Sequence, residues 1–151
     1  MGRRLNAETA TEILDRLRAI PEDRAPKWGK FTLLQMFGHL NSTIQYTLGN
    51  TPLLPFVGNF KTQYIFAPLI LNGIRAFPHD VRLPRAEGRD EILKKESDVD
   101  EIAASIEAFL ERAEKPRFHP PHHPFFGNIG AVGWSKFHYG HMDHHLKQFG
   151  E

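Results

Sequence analysis

Apolar residues recur at helical spacing in four separate stretches of this chain, and between those stretches the rhythm fails. Ala10, Ile13, Leu14, Leu17 and Ile20 fall on one stripe, as apolar positions three and four apart do on an α-helix. They predict a first helix over about Ala7 to Ile20, with Asn6 as its N-cap and Pro21 beyond its end. Leu33, Phe37, Leu40, Ile44 and Leu48 predict a second helix. It is opened by the capping box Thr32-x-x-Gln35 and closed by Gly49 and Asn50, with Pro52 after them. Val99, Ile102, Ile106, Phe109, Leu110 and Ala113 line a third, whose capping-box-like start reads as Ser97-x-x-Asp100. A fourth runs from about Gly130 to Phe149, with Trp134, Phe137 or His138, His141, His145 and Gln148 on its inner side.

The joins carry a different pattern. Prolines 52, 55, 68, 78 and 84, with Gly58 and Gly73, interrupt a stretch that is otherwise rich in apolar residues between Phe56 and Phe77. One or two short helices between Asn59 and Ala76 fit there, broken or kinked near Pro68. Residues 84–96 are polar and read as a surface crossing, and the proline-rich 118–127 stretch excludes regular helix. No strand signal competes. The expected fold is therefore all-α: a four-helix bundle with crossover connections and extra short helices in the 52–85 connection, forming one domain over residues 1–151.

Composition narrows the function classes. The chain has 151 residues, 40% hydrophobic and 25% charged, an ordinary globular balance. Net charge is +1 with no basic stripe, which argues against nucleic acid as a partner. The absence of cysteine removes disulfides, thiolate metal sites and cysteine nucleophiles together. Arg3 and Arg4 have no apolar run behind them, so no signal peptide is read. The apolar stretch Tyr64 to Leu71 is too short to span a bilayer. A cytoplasmic protein without a membrane partner is the expectation.

Against that background the end of the chain stands out. Four of the nine histidines, His138, His141, His144 and His145, fall within eight residues. His141 and His145 are four apart and share a helix face, the spacing at which a divalent metal takes two imidazoles from one helix. A third ligand has to come from elsewhere, and His39 is the only histidine on another long helix. Three imidazoles leave coordination positions open for water or substrate, as a reactive rather than a closed site requires. Taken alone, His39 also reads as a hydrogen-bonded helix residue, and His141 with His145 as a solvent-facing pair.

Trp28-Gly29-Lys30-Phe31-Thr32 and Gln35-Met36-Phe37-Gly38-His39-Leu40 resemble the second-helix motif of the DinB-like (YfiT-like) superfamily. His141-Met142-Asp143-His144-His145-Leu146-Lys147-Gln148 resembles its last-helix H-x-x-H-H-x-x-Q motif. His123-Pro124-Phe125-Phe126-Gly127, Trp134 and the ending Gln148-Phe149-Gly150 look like one branch of that superfamily. The resemblance implies a four-helix bundle with a three-histidine metal site. By position the ligands are His39, His141 and His145, with His144 in a place the family does not usually use. Geometry alone leaves His138 as an alternative to His145; the resemblance favours His145.

The implied chemistry is broad. Some relatives resemble thiol-dependent transferases, and others metal-dependent hydrolases or isomerases. Met142 stands where a zincin-type H-E-x-x-H motif would place its glutamate, which argues against peptidase chemistry. The expected activity is thus a metal-dependent transferase, using a thiol, or a hydrolase. The expected partners are a small-molecule substrate and, for the transferase, a low-molecular-weight thiol. The metal is zinc or nickel, with iron or manganese also compatible with an all-histidine set. A non-catalytic bundle that binds or senses a small ligand around a structural or vestigial metal is the alternative.

The sequence names no catalytic acid or base. His123 and Gln148 are its candidates: His123 beside the ligand helix, and Gln148 one turn past His145, within reach of a ligand or bound water. His119 and His122 read as residues of a rigid surface loop, and Trp28 and Trp134 as core. The aromatic stretch over 56–77 allows ordinary core packing, a roof over the pocket, or the face of a homodimer.

Overall fold

The structure is a computed structural model that describes residues 2–79 and 95–151. It is all-helical: among the described residues there is no strand, only an isolated bridge between His123 and Gly127. The long helices are α1 (Ala7–Ala19), α2 (Leu33–Thr47), α4 (Val99–Ala113) and α5 (Gly130–Gln148), with the short α3 (Ala67–Leu71) between α2 and α4.

The starts of α1 and α2 are fixed by their own side chains. At α1 the Asn6 side chain accepts from the Thr9 backbone N–H, and Thr9 Oγ1 accepts from that of Asn6, both at 2.9 Å. Thr32 and Gln35 make the same reciprocal pair at α2, at 3.2 and 3.1 Å. The start of α4 differs from the sequence reading. Its N-cap is Asp98, not Ser97, and the Asp98 carboxylate accepts from the Glu101 backbone N–H at 2.8 Å. Ser97 instead donates to the Glu101 carboxylate at 2.9 Å. A carboxylate is a stronger acceptor at the positive end of a helix than a hydroxyl, so the helix begins after the aspartate.

The connection after α2 is built around a helix over 60–71 that contains a π-helical segment, Thr62–Phe66. Asn59 and Thr62 cap it reciprocally at 3.0 and 2.8 Å. Pro68 has no N–H to continue an α-helical ladder, and the ladder widens just before it, with the Ala67 N–H reaching Thr62 O. The expected disturbance near Pro68 is therefore a π-bulge. Ordinary core packing does not hold for most of this stretch. Ala67 and Ile70 are buried, but Phe60 is 71% exposed, Tyr64 62% and Ile74 74%. Residues 84–94 of the expected surface crossing lie outside the described residues.

In the main packing, α1 and α2 each lie against both α4 and α5, and α3 lies against α5. Between them Ile13, Leu17, Met36, Leu40, Ile44, Ile102, Phe109, Trp134, Met142 and Leu146 are almost wholly withdrawn from water. Each such side chain contributes about 1.5–3 kcal/mol by burial. Gly38 lets the chain at Lys95 cross α2 closely, since a Cβ there would overlap the Lys95 carbonyl. No helix of the described residues is long and apolar enough to cross a membrane.

Candidate metal centre

The packing of α2 on α5 brings His39 to His141 and His145. One ring nitrogen from each residue falls in a group whose members all lie within 4.8 Å of one another. His39 Nε2 and His141 Nε2 are 2.9 Å apart. The three rings meet edge to face, with centroids 4.8–5.0 Å apart. His141 and His145 are buried and His39 is half-buried.

The donor set fits a divalent ion. Nitrogens each about 2.0–2.1 Å from one ion lie roughly 3–3.5 Å from each other, a separation these side chains already approach. Their protonation also fits. Burial, with a smaller push from His144, lowers His39 from 6.5 to about 4. Burial and His39 lower His145 to about 3. Burial and the neighbouring imidazoles hold His141 well below its ordinary value. All three are therefore neutral at pH 7, and neutral imidazole is the form that gives a lone pair to a metal.

A further layer holds His145. Its Nδ1 lies 2.6 Å from Gln148 Oε1, and Gln148 Nε2 donates to the Trp28 carbonyl at 2.8 Å. The walls are aromatic. Phe31 packs against His39 and His145 at 5.3 and 6.1 Å between centroids. Phe137 stacks on His141 at 5.0 Å, and Phe77 faces His141 and His144 at 6.1 and 5.7 Å. Trp28 is half-buried, not core: it stacks on His79 at 4.0 Å, nearly parallel, and leans against His144.

His144 lies against His145, whereas His122, His123 and His138 have partners away from the three. His138 is 1% exposed between Trp134 and Phe109, and its Nε2 is 3.2 Å from Thr47 Oγ1. The Thr47 hydroxyl already donates to Ile44 O at 2.6 Å, so His138 is the donor of this pair. His123 is buried, and its Nδ1 accepts from the backbone N–H groups of Phe125 and Phe126, both at 3.1 Å. Its ring holds the turn, and Phe137 packs against both His123 and His141. His122 donates to Leu54 O at 2.7 Å, and His119 is exposed. His144 is half-buried beside the group, next to Trp28 and His79.

Sequence reasoning missed His79 as a neighbour of the site, and Phe77 entered it only within the 56–77 stretch offered as a roof over the pocket. Both lie in the Pro/Gly-broken connection, where no periodicity assigns a facing direction. Phe31 stood inside the quoted Trp28-to-Thr32 motif, and only the fold shows that it packs on two of the histidines.

The chain belongs to the DUF1569 family, described as a protein of unknown function, whose model matches residues 2–151. No curated protein and no solved structure matches it.

Proposed function

We propose that this chain is a metal-dependent enzyme of DinB-like (YfiT-like) type, acting on a small molecule as a thiol-dependent transferase or a hydrolase. His39, His141 and His145 hold a divalent ion, zinc or nickel first. The observation that carries the reading is the meeting of three neutral imidazoles from two helices, with a sequence separation of 102 between His39 and His141. The packing of α1 and α2 against α4 and α5 supports a four-helix bundle with crossover connections, since neither α1 with α2 nor α4 with α5 is among the main packing pairs of the described residues.

When bound, such an ion supplies Lewis acidity, lowering the pKa of a water or thiol and polarising a substrate oxygen. The chain's own residues do the rest. Gln148 orients His145 through Nδ1. Phe31, Phe77 and Phe137 wall the group with apolar surface, which limits water and favours an apolar portion of substrate. Thiol transfer stands slightly ahead of hydrolysis because Met142 occupies the place where a zincin-type motif carries its glutamate base.

Metal analysis of protein prepared without a histidine tag tests the binding. About one equivalent per chain is expected, lost in His141→Ala and in His145→Ala. Protein that is metal-free and refuses added zinc and nickel would overturn the reading. The activity is tested by incubating loaded protein with electrophiles plus low-molecular-weight thiols, and with esters and amides. Metal-dependent product is expected; small-ligand binding with no product would favour a non-catalytic binding protein.

A further inference from the structure

Gln148 is 4% exposed, and both ends of its amide are committed. The Trp28 carbonyl can only accept, so the end 2.8 Å from it is the NH2 group. That leaves the amide oxygen facing His145 Nδ1 at 2.6 Å. An amide oxygen can only accept, so Nδ1 carries the proton, and the lone pair of the neutral ring is on Nε2. The Trp28 carbonyl, on a loop more than a hundred residues away in sequence, thus decides which nitrogen of His145 is free.

That loop is fastened to the same turn of α5 in several places. The Lys27 N–H donates to Gln148 O at 2.7 Å, and Arg24 donates to Phe149 O at 2.7 Å. Gly29 has φ +78°, and a Cβ there would come within 2.8 Å of Gln148 Nε2. Glycine is therefore favoured by its backbone conformation, and a side chain there would displace the Gln148 amide. On the other side of the loop, the Trp28 ring stacks on His79 and packs against His144, beside the histidine group.

We propose that Gln148 is a positioning residue: it fixes His145 as the Nδ1–H tautomer and couples the three-histidine centre to the Trp28–Gly29 loop. The ligand role of His145 rests on the metal-dependent reading; the tautomer and the coupling do not. Loss of the amide leaves His145 free to place its proton on Nε2, and the lone pair of such a ring is on Nδ1, the nitrogen that faces position 148, instead of on Nε2. Occupation of Nε2 in turn favours a proton on Nδ1, which strengthens the link to the loop.

The test uses the full chain with nitrogen-15-labelled histidine, metal-free at neutral pH, and reads the tautomer of each ring by long-range proton–nitrogen correlation. Wild type is expected to show His145 protonated at Nδ1. Gln148→Leu and Gly29→Ala are expected to shift it toward the Nε2–H form or a mixture, and Gln148→Glu, which still accepts, to restore Nδ1–H. Wild-type His145 protonated at Nε2 would overturn the proposal, and that measurement needs no variant to fold. A folded Gln148→Leu that keeps pure Nδ1–H would overturn it as well.

Zinc titration against a chromophoric chelator supplies the second readout. Gln148→Leu is expected to weaken binding by about 10–100-fold, with recovery in Gln148→Glu. Unchanged affinity in a folded Gln148→Leu would overturn the coupling. If wild type binds no zinc while its tautomer depends on Gln148 as described, the metal reading fails and the positioning role stands.

Discussion

Nine histidines in one small chain invite a single explanation, and their surroundings refuse it. His138 is as deeply buried as any ligand candidate, yet among the described residues its polar partner is Thr47 and its neighbours are aromatic. Burial lowers its pKa from 6.5 to about 3. The unfolded chain takes up this proton near 6.5, whereas the folded chain does so only near 3. This contribution to stability is therefore complete above pH 6.5 and falls as pH drops through that window, by up to about 1.4 kcal/mol per pH unit for each such ring. His39, His123 and His145 share the direction. Metal-free protein should thus lose stability steeply between about pH 6.5 and 4, as read by urea unfolding. His138→Leu should reduce that slope by about one proton. An unchanged slope would show that His138 already titrates normally in the folded chain. The cluster of histidines was visible in the sequence, but the difference between a core ring and a ligand was not, because it depends on which groups face each nitrogen.

At the scale of the element, two substitutions separate the forces that begin and space the helices. Asp98→Ala removes the acceptor for the Glu101 N–H and should cost about 1 kcal/mol in denaturant unfolding. Ser97→Ala should cost less, since it removes only a bond to an exposed carboxylate. Equal effects would mean that the cap is shared. The sequence pattern placed the third long helix correctly and misjudged its first residue because two plausible caps stand side by side. Gly38 concerns spacing. A methyl group there overlaps the Lys95 carbonyl, so Gly38→Ala should destabilise by roughly 1–3 kcal/mol as the crossing chain is pushed from α2. His39 is the next residue, so the same variant should also weaken zinc binding. Normal stability together with normal zinc affinity would show that the crossing gives way freely.

At the scale of the molecule, an ion held by His39 with His141 and His145 pins α2 to α5, and the unfolded chain has no such assembled site. Zinc at a hundred times its dissociation constant should then add about 2.7 kcal/mol of stability, less whatever the unfolded chain binds. Thermal melts with zinc and with chelator should show a rise in Tm that disappears in His39→Ala. A rise that survives in His39→Ala would place the bound zinc elsewhere among the histidines.

What the sequence determined by itself is local. Apolar stripes at helical period, the Asn6 and Thr32 caps and the four-residue spacing of His141 and His145 are all set by residues within a few positions of one another. They gave the long helices, the all-helical class and a shared face for two histidines. The pairing of α2 with α5 was decided only in three dimensions, because amphipathic faces state that they must be buried and not against which partner. So was the setting of Phe77 and His79, which lie in a proline-broken connection without a period to orient them. The hold of the Trp28 carbonyl on the proton of His145 belongs there too, since it runs through one buried amide that only the folded chain brings between them.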